Sequence, residues 1–182
     1  MEQNIMSRFW LMVSLVAGVA LMRILPHPYN FAPVTAMALF SGAHFPCRPW
    51  AFAVPLAAMI LSDLALEALF GYGIHEQLPV VYLSFLGIVA LGMLLRGRRA
   101  ALPVLGASLV ASVFFFLTTN FGVWVFQRLY PLTWEGLVAC YAAAIPFFGS
   151  TLAGDLFYTG LLFGAFALAE RRIPRFSAPL AA

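Results

Sequence analysis

Lysine is absent from the 182 residues, and charge of either sign is scarce: ten arginines and seven acidic residues make up 9% of the chain. A soluble domain carries about 25% charged residues, so the polar surface needed to stay in water is missing. Cysteine is also scarce. Two thiols, Cys47 and Cys140, make no disulfide framework, and the topology derived below places them on opposite sides of a membrane. No linker, low-complexity tract or internal repeat divides the chain, which reads as one domain. What is abundant is apolar: 63% of the residues, with a mean hydropathy of +0.94. The net charge of +3 and pI of 9.2 do not point to nucleic acid, because the arginines sit in short loops beside apolar segments. There they set membrane orientation. The composition implies a polytopic all-α membrane protein whose first partner is the lipid bilayer.

A membrane helix needs roughly 20 mostly apolar residues. Six runs come near that length: residues 9–25, 31–45, 50–70, 78–95, 101–119 and 151–169. The first lacks a small-residue cleavage site and leads into further spans, so it reads as a helix and not as a leader. The second is short and opens with Pro33, which implies tilt or burial among neighbours. Residues 134–148 have a helical pattern ended by Pro146 and Gly149. Joined to the last run they would be about 55 Å long at about 1.5 Å per residue, so they are expected to form a separate interfacial or re-entrant helix. Residues 173–182, with two prolines, are expected to be a flexible tail. Six spans with the N-terminus inside put Arg8, Arg48, Arg96, Arg98, Arg99, Arg171, Arg172 and Arg175 inside, and only Arg23 and Arg128 outside.

The same topology gathers polar residues at one depth. Arg23 ends the first span, and His27 and Asn30 follow in the outer loop. Asp63 lies in the outer half of the third span with Glu67 one turn further out. Asn120 ends the fifth span, and Asp155 lies in the first turns of the sixth. A membrane-centred Asp costs about 2.5 to 3.5 kcal/mol on insertion scales, so such residues persist when paired or when lining a wet cavity. Thr151, Asp155, Tyr158 and Thr159 form one polar stripe on the last helix. Asn120 and Trp124, four apart, offer an amide and an aromatic wall. The expectation is an outward-facing ligand pocket built from Arg23, His27, Asn30, Asp63, Asn120, Trp124, Asp155 and Tyr158. For each of these residues a purely structural role, such as an Arg23 staple to Asp63 or Asp155, competes with the ligand role. His27 and His44 fall on opposite sides, which argues against a histidine metal site, and neither a metal nor a cofactor is expected. Trp10, Trp50, Tyr72 and Trp134 fit an interfacial belt.

Several segments together, RILPHPYNFAPVTAMALFSGAHF, LSDL, TNFGVW, YPLTWEGLVACYAAAIPFF and GDLFYTGLLFG, resemble a bacterial integral membrane family of unknown function over roughly Arg23 to Arg172. That family is in turn distantly similar to the substrate-binding S components of energy-coupling factor transporters. The resemblance implies a six-helix bundle in the bacterial cytoplasmic membrane with both termini cytoplasmic. It implies an outward site for a vitamin- or cofactor-precursor-like small molecule at His27, Asn30, Asn120, Trp124 and Asp155. It also implies an energising transmembrane subunit and ATPases as partners. S components often dock through an Ala-x-x-x-Ala patch on helix 1; here Ser14 and Gly18 hold that spacing on helix 1, and Ala107 and Ala111 hold it on helix 5. Such small pairs mostly permit close helix packing.

The leading expectation is therefore a non-catalytic binding or transport subunit. Two other classes compete. One is a structural or assembly component of a cell-envelope complex. The other is an intramembrane enzyme in which Asp63 and Asp155 share a proton, although Ala153-Gly154-Asp155 lacks the first glycine of the Gly-x-Gly-Asp signature of presenilin-like proteases.

Overall fold

The computed structural model of the chain describes residues 2–98 and 100–173, with backbone only for residues 2–4. Arg99, Arg175 and the expected tail beyond Ile173 lie outside the described residues. Those residues form six helices and no strand: α1 (Glu2–Leu21), α2 (Val34–His44), α3 (Arg48–Phe70), α4 (Leu78–Met93), α5 (Ala101–Phe126) and α6 (Trp134–Arg172). Three of them, α3, α5 and α6, are long and apolar enough to cross a membrane, not six.

Local chemistry sets most of the boundaries. The chain beyond α1 tightens through i→i−3 backbone bonds at Met22, Arg23 and Ile24 before Pro26 bars further helix. It therefore ends four residues short of the expected Leu25. Pro33 stands at the N-cap of α2. Gly71 closes α3 in the left-handed region (φ 73°), its N–H reaching the Glu67 carbonyl at 2.9 Å. The Thr133 side chain caps α6 by accepting from the Gly136 N–H. Two expectations are corrected. Helix α5 does not stop at Thr119 but continues to Phe126, carrying Asn120 and Trp124 within it. Residues 134–148 and 151–169 are not two elements; α6 runs unbroken through Pro146 for 39 residues. An internal proline removes one i→i−4 bond, here to Ala142, and can be absorbed as a bend.

The centre of the bundle is α2. Nine of its eleven residues are buried, and it touches all five other helices. Its crossing with α4 is backbone on backbone. A Cβ on Gly42 would lie 2.0 Å from the Val89 carbonyl oxygen, and one on Gly92 would lie 2.3 Å from that of Leu39. Arg96 then spans from the end of α4 to the Gly42 and Phe45 carbonyls at 3.1 and 3.2 Å, capping α2.

Contacts at the two ends fix an up-and-down arrangement. At one end Arg8 of α1 pairs with Glu170 of α6 at 2.6 Å, Phe9 meets Phe45 and Trp50, and His44 packs on Phe163 and Phe166. At the other, Arg23 reaches α3, Gly122 of α5 abuts Gln77 and Val80 at the start of α4, and Phe31 lies against Tyr158. Polarity is inverted relative to a water-soluble fold. Leu61, Leu83, Leu102, Leu117, Phe121 and Leu161 face outward, whereas Asp63, Ser108, Ser112, Asp155 and Thr159 are buried. That pattern belongs to a protein solvated by lipid.

The close crossing generates a stability prediction. Gly92→Ala should cost at least the 1–3 kcal/mol typical of overpacking, here about the upper end because a backbone oxygen cannot move aside. Gly106→Ala, where a Cβ meets nothing within 4 Å, should be neutral or stabilising by up to about 1 kcal/mol. Thermal stability followed by size-exclusion chromatography in detergent separates the two.

Candidate functional site

The polar residues do not form one hollow. They resolve into a staple, a buried cluster and an open groove.

The staple is built on Arg23, placed beyond the end of α1 by the tightened turn. Its Nη2 lies 2.6 Å from Asp63 Oδ1 on α3, and its Nη1 donates to Ser62 Oγ and to the Met59 carbonyl. Tyr82 of α4 donates its hydroxyl to Asp63 Oδ2 at 2.6 Å. Asp63 is only 4% exposed, and both its oxygens are engaged, so this carboxylate is occupied by the protein itself. Glu67 is drawn off to the loop beyond α3, where it accepts from the Ile74 N–H at 2.9 Å.

The buried cluster surrounds Asp155, 1% exposed. Ser112 of α5 approaches its Oδ2 at 2.6 Å, and the Thr35 side chain of α2 stands beside the same carboxyl. One turn further along both helices, Ser108 and Thr159 meet at 3.2 Å. Gly154 lets the Phe31–Ala32 backbone close over this level, since a Cβ there would lie 3.0 Å from the Phe31 Cα. Tyr158 is buried against Phe31 and Phe157. Asp63 and Asp155 thus belong to separate networks, and no hydrogen bond joins them into a proton-sharing pair.

The groove lies above that cluster, between the second half of α5 and the first half of α6. It encloses about 360 Å³ and is lined by Phe115, Phe116, Asn120, Phe147, Phe148 and Thr151, with Asn30 and Tyr130 from the loops at its mouth. Asn30 holds a left-handed conformation (φ 61°), one that asparagine adopts more readily than most residues. Asn120 donates its side-chain nitrogen to the Phe116 carbonyl at 2.8 Å, and its Oδ1 has no partner among the described residues. Cys140 lines the groove with a free, buried thiol directed at the Asn120 carbonyl.

Of the eight residues expected at the site, Asn30 and Asn120 share this groove, and Asp155 and Tyr158 lie beneath it. Arg23 and Asp63 form the staple. His27 is exposed, its ring turned to the Pro28 carbonyl at 3.0 Å. Trp124 spends its indole N–H on the Pro131 carbonyl at 2.9 Å, pinning the link between α5 and α6. Sequence reasoning missed Tyr82, Thr35 and Ser112. The serine pair Ser108 and Ser112, one turn apart on an apolar helix, was the available signal.

The model of a family of unknown function, DUF6580, matches residues 3–176. The chain belongs to that family. No curated protein and no solved structure matches it.

The staple can be weighed by a double-mutant cycle. Asp63→Asn or Arg23→Met alone should each cost about 3–5 kcal/mol, because a buried charge loses its partner. The double variant should cost clearly less than the sum. Additive losses in detergent unfolding would mean that the pair is not coupled.

Proposed function

We propose that the chain is an integral membrane small-molecule binding or transport subunit, and that the α5–α6 groove is its ligand site. The observation that carries this reading is the make-up of the groove: phenylalanine walls, an amide oxygen on Asn120 with no partner among the described residues, and the hydroxyl and amide groups of Thr151, Tyr130 and Asn30 around one opening. Small-molecule sites combine apolar walls with a few placed polar groups in volumes of about 300–1,000 Å³. The groove stands at the lower limit of that range, which favours a compact ligand.

In this reading all six helices enter the bilayer, with α2 shielded from lipid by its neighbours, and both termini are cytoplasmic. The contacts at the Arg8–Glu170 end support that orientation. They draw together the helix ends that carry Arg8, Arg48, Arg96, Arg98, Arg171 and Arg172, as the positive-inside rule requires of a cytoplasmic face. The groove then opens outward in the cytoplasmic membrane of a bacterium. The likeness to S components favours a vitamin- or cofactor-precursor-like ligand and an energising transmembrane subunit with ATPases. Ligand contacts fall to Asn30, Asn120, Thr151 and the groove phenylalanines. Arg23 and Asp63 hold the outer ends of α1, α3 and α4 together, and His27 and Trp124 order the flanking loops.

Native mass spectrometry of the detergent-purified protein tests the reading. A co-purified small molecule is expected. Ala144→Phe, which fills the groove, should abolish its retention, and Asn120→Ala should weaken it about tenfold, the worth of one hydrogen bond. Retention unchanged in both variants would overturn the assignment.

A further inference from the structure

Beneath the groove, Asp155 is a buried carboxyl that the ligand reading leaves unused, and its hydrogen-bond partners carry an arithmetic of their own. Ser112 Oγ lies 2.6 Å from Asp155 Oδ2 and 2.9 Å from the Ser108 carbonyl oxygen. Both are acceptors when the carboxyl is ionised, yet a serine hydroxyl has one hydrogen to give. If Asp155 carries a proton, both contacts become ordinary hydrogen bonds. The acid O–H donates to Ser112 Oγ, and Ser112 donates to Ser108.

The surroundings favour the same state. Among the described residues no charged side chain contacts this carboxyl: α2 presents Thr35 and α5 presents Ser112. The loop before α2 closes over Gly154 with Phe31 and Ala32, and the titratable neighbour on α6 itself is Tyr158, packed against Phe31. Arg23 is committed to Asp63, and Arg8 is committed to Glu170 at the opposite end. An ionised carboxylate buried without a cation is costly, whereas a neutral acid with hydroxyl partners is not.

The position is also distinctive. Thr151, one turn before Asp155 on α6, lines the groove. Thr159, one turn after it and joined to Ser108, lines a second cavity of about 430 Å³ that reaches His44, Arg98 and Glu170 at the other end of the bundle. The carboxyl stands between the two openings on the α5–α6 seam.

We infer that Asp155 is a reversible proton-binding site at mid-depth of the seam, between the groove and the opposite cavity. One O–H bond forms at Oδ2 when a proton is taken up from water and breaks when the proton is returned. The site stands independently of whether the groove holds a small molecule.

Infrared difference spectroscopy of the purified protein between acid and alkaline pH tests the inference. A carboxylic-acid C=O band is expected to vanish reversibly at alkaline pH and to be missing in Asp155→Asn. That band should move in Ser112→Ala, which keeps Asp155 but removes its acceptor, and should be unchanged in Asp63→Asn and Asn120→Ala. Asp155→Asn, a mimic of the neutral acid, should fold with near-native thermal stability. The absence of any pH-dependent band that Ser112→Ala displaces would overturn the inference, as would a spectrum altered by sodium ions and not by pH. Failure of the ligand-retention experiment would leave this result standing, and the reverse also holds.

Discussion

Leu39 and Gly92, and one turn further on Gly42 and Val89, bring the backbones of α2 and α4 into direct contact. Everything else in the bundle is arranged around that crossing. An eleven-residue helix is too short to cross a hydrocarbon core of about 30 Å at about 1.5 Å per residue. It is tolerated in such a medium only if neighbours cover its ends and satisfy its terminal carbonyls. Arg96 does so at one end by reaching Gly42 and Phe45. At the other end Pro33, which has no N–H to satisfy, begins the helix, and the segment before it is packed under Gly154. Because α2 touches every other helix, its placement fixes where Thr35 meets α6 and where His44 enters the aromatic nest of Phe163 and Phe166.

The distribution of polar side chains follows from the same medium. Where lipid is the solvent, a hydroxyl or amide in a helix must find an internal acceptor. The cheapest is the carbonyl one turn back. Ser84, Ser112, Thr118, Thr119 and Asn120 all reach the carbonyl four residues earlier. This local solution lets α5 carry a Thr-Thr-Asn sequence without breaking. It also leaves the second functional atom of Asn120, its Oδ1, available at the groove.

These local solutions explain what the sequence showed and what it hid. Apolar runs located all six helices, and Pro33 before a short apolar segment correctly signalled a helix shielded by neighbours. The end of α5 was misplaced because Asn120 reads as a helix terminator in water, whereas back-bonding to Phe116 keeps it helical here. The join at Pro146 was misread for a related reason: one lost backbone bond is a smaller penalty than exposing two new helix ends to lipid. Shared depth was the ground on which Arg23, Asp63, Asn120 and Asp155 were grouped in the sequence. Depth carries no information about direction around a helix, so it did not separate the staple from the groove. Pairing with Tyr82 depended on the rotation about α4, whose polar residues, Tyr82 and Ser84, are too few to define a face.

The separation itself has a physical logic. A carboxylate with a guanidinium and a phenol, as at Asp63, meets its whole hydrogen-bonding demand inside the protein and gains nothing from an outside ligand. A carboxyl with only hydroxyl partners, as at Asp155, meets its demand in one protonation state and not in the other. A side chain in the first situation anchors helices; one in the second can respond to conditions. The chain places the anchor where α1, α3 and α4 converge and the responsive group on the α5–α6 seam, directly below the amide and aromatic groups of the groove. Burial of Asp155 beneath the groove floor then becomes intelligible. One turn below the groove lining, the carboxyl is surrounded by the hydroxyl side chains of Ser112 and Thr35 rather than by the opening itself.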